Sequence, residues 1–127
     1  MDSNILWWFE IPVDDMSRAV KFYETVFAIQ LSRNTLGQLE MALFPTASGK
    51  PGTAGALVRL PQWYKPSENG TLVYLSSQSN DISDELSRVE SAGGKIIVPK
   101  GPISPELGFR ALIRDSEGNR IALHSMK

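Results

Sequence analysis

The chain contains its own fold twice. An offset of about 66 positions lays Asp15 on Asp81, Met16 on Ile82, Val20 on Leu86 and Tyr23 on Val89, so a polar helix cap and the apolar stripe behind it recur. The first copy opens at Trp8-Phe9-Glu10-Ile11-Pro12-Val13-Asp14-Asp15, and the second begins near Thr71. The same offset pairs the strand-like run from Ala54 to Leu60 with that from Asn119 to Ser125. The whole half is therefore duplicated, not the helix alone.

Periodicity and caps supply the elements. A first helix starts at Asp15, whose carboxylate suits the free amides of a first turn, and its stripe is Met16, Ala19, Val20, Tyr23, Val26 and Phe27. A second starts at Asn80 or Asp81, turns Ile82, Leu86 and Val89 inward and stops at Gly93-Gly94. Each is expected to span about three turns. Strands are expected at Ile29 to Arg33, Gly37 to Phe44 and Ala54 to Leu60, then at Lys95 to Pro99, Phe109 to Arg114 and Asn119 to Ser125. Asp115-Ser116-Glu117-Gly118-Asn119 reads as the turn before the last strand, with Gly118 suited to positive φ.

The division that follows is a first module at 1–60, an inter-module segment at 61–70 and a second module at 71–127, all in one domain of 127 residues. Pro61, Pro66 and the Asn69-Gly70 pair mark the segment. Neither half has enough apolar residues to stand alone, so the two must share a core. An α+β fold results, with helices on one face of a mixed sheet and the other face curved around a cavity.

Composition removes several function classes. Thirteen Lys and Arg against fourteen Asp and Glu are dispersed along the chain, which argues against nucleic acid or an anionic membrane as partner. The chain has no cysteine, hence no disulfide, thiolate nucleophile or Cys-based metal site. The first residues lack a basic leader and Glu10 interrupts their apolar run, so neither a signal peptide nor a spanning helix is expected and a cytoplasmic location is the default.

Strand alternation sorts the cavity face from the core face. Trp7, Phe9, Ile11 and Val13 are expected to pack on the helices, leaving Trp8 and Glu10 opposite. Ile121 and Leu123 go inward in the last strand, which puts Arg120, Ala122 and His124 on the cavity side. With Val73 and Leu75 as a core pair, Leu72, Tyr74 and Ser76 face the cavity too.

These residues resemble a known family. Phe9-Glu10-Ile11-Pro12-Val13 running into Asp15-Met16 and Phe22-Tyr23, then Ala92-Gly93-Gly94-Lys95, Gly108-Phe109-Arg110-Ala111 and Asp115-Ser116-Glu117-Gly118-Asn119-Arg120-Ile121-Ala122-Leu123, are similar to the glyoxalase/bleomycin-resistance/extradiol-dioxygenase (vicinal oxygen chelate) superfamily. Phe-Glu-Ile-Pro in the first strand resembles its loosely defined glyoxalase-related members. The resemblance implies two tandem βαβββ modules, a homodimer, and curved sheets enclosing a ligand or metal site.

Superfamily enzymes hold a divalent metal with His, Glu or Gln from equivalent strands. The matched positions here are Trp8, Leu72 or Tyr74, Ala122, and a place near Ala56, none of them a ligand, and the chain has a single histidine. No cofactor is therefore expected, although a divalent metal at other positions stays open as the alternative.

Two functions remain in play. One is a binding protein that holds a small organic molecule without the usual metal centre, with Trp8, Glu10, Leu72, Tyr74, Arg120, His124 and Trp63 as ligand-contacting residues. The other is a glyoxalase-related lyase, isomerase or dioxygenase-type enzyme in which Glu10 and His124 serve as acid and base or as metal ligands. The plain structural alternatives are Glu10 paired with Arg120, His124 hydrogen-bonded at a strand end, and Trp63 and Tyr64 as lid or subunit contact. Gly49 to Gly52 has the wrong spacing for a phosphate loop, and no Gly-x-Ser-x-Gly elbow supports a hydrolase triad.

Overall fold

The computed structural model describes all 127 residues. Asp15 caps helix α1 (Met16–Phe27) from an extended conformation, its carboxylate accepting the Arg18 N–H at 3.0 Å. Ala28 ends the helix in the left-handed region at φ 54°, and the Leu31 N–H donates to Glu24 Oε2. That bond ties the following residues to the helix, so the next strand begins at Ser32 and not at Ile29. Asp81 caps α2 (Ile82–Val89) in the same way, accepting from Ser83 N–H at 2.9 Å. Regular helix stops at Val89, shorter than expected, and the chain turns on to Gly93 at φ +106°.

Each module forms its own four-stranded mixed sheet. The strands β1 (Phe9–Pro12), β2 (Ser32–Leu36), β3 (Leu39–Leu43) and β4 (Gly55–Arg59) lie in the order β1-β4-β3-β2. The strands β5 (Val73–Ser76), β6 (Lys95–Ser104), β7 (Gly108–Arg114) and β8 (Arg120–Ser125) repeat that order as β5-β8-β7-β6. In both sheets the first strand runs parallel to the last, and the other pairs are antiparallel. This is the α+β fold of two βαβββ modules, with the curved mixed sheet divided in two. Strand β6 is longer than expected and contains Pro99 and Pro102, which it tolerates as an edge strand with irregular register.

The modules share one core. Ile11, Ala42 and Leu57 of the first sheet, Ala111, Ile113, Ile121 and Leu123 of the second, and the inner faces of both helices form a single buried cluster. Full burial of a side chain such as Phe22 or Leu123 contributes about 1.5–3 kcal/mol. Gly94 closes the packing: a Cβ there would stand 2.6 Å from the Arg114 carbonyl oxygen and 2.7 Å from the Phe22 ring. A further expectation fails. Trp7 is 84% exposed, because β1 starts at Phe9 and its pleat does not extend back to Trp7. No helix is long and apolar enough to cross a membrane.

Candidate functional site

Parallel pairing sets the correspondence between the two sheets. Glu10 stands opposite Ala56, and Tyr74 stands opposite Ala122. Five positions separate Glu10 from the cap Asp15, whereas seven separate Tyr74 from the cap Asp81, so the strand-to-helix connection is longer in the second module. Leu72 is thereby the counterpart of Trp8. The two hairpins that lead into β4 and β8 differ more: residues 44–54 join β3 to β4, and only 115–119 join β7 to β8.

The short turn packs into the first module's strand-to-helix junction. Glu117 Oε1 accepts the N–H groups of Asp14 and Asp15, both at 2.9 Å, and Oε2 accepts from Arg18 Nε at 2.7 Å. Asn119 Nδ2 donates to the Pro12 carbonyl at 2.7 Å, and its Oδ1 accepts the Ser67 N–H. Asp115 accepts the Tyr23 hydroxyl at 2.6 Å in the buried core. Burial pushes the Glu117 carboxyl up, but bonds from Arg18, the Asp15 and Asp14 amides and Ser116 outweigh it and hold the group at about 2. Burial first, then the adjacent Asp115 charge, raises the Tyr23 hydroxyl well above its ordinary range.

The long hairpin leaves a hollow at the corresponding place. The β3–β4 loop, strand β5 and Gln78 of the β5–α2 connection enclose a cavity of about 660 Å³. Phe9, Phe27 and Phe44 form an aromatic wall, with the Phe9 and Phe44 ring centroids 5.5 Å apart. Leu72, Tyr74 and Leu75 supply the opposite side, and Lys50 comes from the loop. Gly55 lets the Phe9 ring into this wall, since a Cβ at that position would overlap the ring. The second module's junction meanwhile satisfies itself: Gln78 N–H donates to Glu85 Oε2, Ile82 N–H to Ser125 Oγ, and Met126 N–H to Asn80 Oδ1.

Of the residues singled out from the sequence, Leu72 and Tyr74 line this cavity. Glu10 and Arg120 line a smaller cleft of about 180 Å³, yet they do not pair. Glu10 accepts from the Tyr64 hydroxyl at 2.8 Å and the Trp8 indole at 3.3 Å, while Arg120 donates to the Gly70 carbonyl. That bond to Glu10 raises the Tyr64 hydroxyl pKa. His124 lies in the other sheet, with Nε2 hydrogen-bonded to the Leu107 carbonyl, and does not line the cleft that holds Glu10. Ala122 is fully buried, and Trp63 is 81% exposed without lining the large cavity. Phe27, Phe44 and Lys50 were not expected. The signal was the length of the connection between β3 and β4.

Residues 5–123 match the Glyoxalase/Bleomycin resistance protein/Dioxygenase superfamily. The chain belongs to that superfamily. Among solved structures, a glyoxalase I mutant from Zea mays superposes with a TM-score of 0.72 at 22% identity, covering 95% of this chain and 46% of that one. This chain thus spans about half the length of the maize glyoxalase I chain. A glyoxalase/bleomycin resistance protein from Albidiferax ferrireducens T118 gives 0.70 at 17% identity, covering 94% and 97% of the two chains. TnmS3, an antibiotic binding protein from Streptomyces sp. CB03234, gives 0.64 at 22% identity, covering 98% and 97%. No curated protein sequence matches the chain.

At the superfamily's metal positions the fold presents Trp8, Leu72 and Ala122, with Ala56 across from Glu10. No group of three or more His, Cys, Asp or Glu side chains is arranged to hold a metal ion. The residues present at these positions do not fit the superfamily's metal.

Proposed function

We propose that this superfamily member is a metal-independent binding protein that takes a small organic molecule into the cavity between the β3–β4 loop and β5. The observation that carries the reading is the cavity itself: about 660 Å³, walled by Phe9, Phe27, Phe44 and Leu75, at a place that the other module fills with a turn. Its size and apolar lining suit a drug-sized molecule. The TnmS3 likeness supports a binding role for the fold, and the side chains at Trp8, Leu72 and Ala122 favour one without a metal. A homodimer in the cytoplasm belongs to the same reading.

Thermal unfolding against a library of small apolar and aromatic compounds, together with metal analysis of the untagged protein after loading with Zn, Ni, Mn and Fe(II), tests it. Compounds that raise Tm in the native chain and not in Ala54→Trp, whose indole would fill the cavity, support the reading. Stoichiometric metal that Glu10→Gln or His124→Ala abolishes would replace it with the enzyme alternative.

A further inference from the structure

We infer that the molecule this cavity accepts is an amphipathic anion, an aromatic or aliphatic body carrying a carboxylate, sulfonate or phosphonate whose charge meets Lys50. The inference rests on the binding-protein reading and adds the ligand's charge to it.

Lys50 is the single charged residue among those that line the cavity, and no Asp or Glu lines it. Its ammonium takes part in no ion pair, although Arg18, Arg59, Lys100 and Arg114 all have carboxylate partners at 2.7–2.9 Å. A backbone turn sets the position of Lys50 on the loop, its N–H donating to the Ala47 carbonyl. Of the other polar side chains in the lining, the Thr53 hydroxyl donates to the Trp7 carbonyl and the Gln78 amide to that of Ser76, and the hydroxyls of Thr46, Tyr74 and Ser76 are uncharged. The chain's net charge of −1 gives no general attraction for anions, so the sign of this site is set locally. A cation at the rim of an apolar chamber attracts a charged head while the Phe9, Phe27 and Phe44 wall removes the body from water.

Two fluorescent probes that differ in charge separate the inference from the reading beneath it. Anilinonaphthalene sulfonate is anionic, and N-phenyl-1-naphthylamine has the same rings without the sulfonate. Titration of the native protein with each is expected to give one site per chain, with the sulfonate bound at least about tenfold more tightly at low salt and losing that advantage as salt screens the pair. Lys50→Gln should bring the sulfonate's affinity down to that of the neutral probe, Lys50→Glu should lower it further, and neither should change the neutral probe by more than about twofold. Equal affinity of the two probes, or an unchanged preference in both Lys50 variants, overturns the inference while leaving the binding reading intact. Binding of neither probe, or binding of both that Ala54→Trp does not impair, overturns the reading and the inference with it.

Discussion

The β7–β8 turn and the β3–β4 loop stand at corresponding places in the two modules, yet one fills its place and the other leaves it hollow. In the first case Asp115, Glu117 and Asn119 reach into the neighbouring module and satisfy its backbone amides, its Tyr23 hydroxyl and the Pro12 carbonyl. In the second the loop carries no acidic residue, the facing junction caps itself through Glu85 and Ser125, and the space between becomes an apolar chamber. Duplication supplied two equivalent clefts. Loop chemistry made one of them a joint and left the other as a site.

Glu117 gives the largest expected contrast. Glu117→Ala removes a carboxylate whose side chain is fully buried and leaves the Asp14 and Asp15 amides and the Arg18 guanidinium without their acceptor. A loss of about 2–3 kcal/mol in urea unfolding is expected, mainly from the backbone amides left without an acceptor, because the Arg18 side chain is half exposed and can turn to water. Lys50→Ala in the opposite loop should stay within about 0.5 kcal/mol, as an unpaired surface substitution does. Equal losses would mean that the two hairpins contribute alike and would break the comparison.

Tyr23 and Tyr74 repeat the contrast at a smaller scale. The buried Tyr23 hydroxyl donates to Asp115, so Tyr23→Phe deprives that carboxylate of one donor and should cost about 1–2 kcal/mol. Tyr74 is 52% exposed at the cavity wall, and Tyr74→Phe should leave the unfolding midpoint nearly unchanged. A larger effect at Tyr74 would show that the chamber wall is structural.

Much of this arrangement could be read in advance because it is local. The caps Asp15 and Asp81 and the Gly118 turn depend on neighbours a few residues away, and each appears where the pattern places it; the stripe of α1 does so too, except that Phe22 is buried and Val20 only partly. The duplicated module was legible for the same reason, since each copy carries its own cap and stripe. The partners of Glu117 were not, because Asp14 and Arg18 lie a full module away in sequence and no spacing rule links a hairpin turn to a distant helix start. Leu72 and Tyr74 line the cavity, but so do Phe9, Val73 and Leu75, which alternation assigns to the core face, because the chamber opens at the edge of the shared core and not on the face away from the helices. Glu10 and His124 do not share its walls: Glu10 turns to the Tyr64 hydroxyl and the Trp8 indole, and His124 is bonded to the Leu107 carbonyl. The cavity depends on what the longer hairpin fails to fill, a negative feature that side-chain patterning does not encode.

Acid titration sharpens the comparison at the helix starts with the smallest effect. Glu117 and Asp81 are both held at about 2, Glu117 by the bonds that overcome its burial and Asp81 mainly by the Lys100 ammonium and the Ser83 amide. A folded carboxyl that titrates below its ordinary value, 4.5 for Glu117, keeps the native state less protonated than the unfolded chain over that interval. The stability it provides is therefore complete above the unfolded value and is lost as pH falls toward about 2. Asp81 follows the same sign but faces solvent, where salt screens its pair with Lys100. Stability measured by urea unfolding between pH 5 and pH 3 in about 0.15 M salt should consequently decline less steeply in Glu117→Gln than in the native chain, whereas Asp81→Asn should keep nearly the native slope. A slope that flattens in Asp81→Asn and persists in Glu117→Gln would move the acid-sensitive joint from the interface between the modules to the second helix alone.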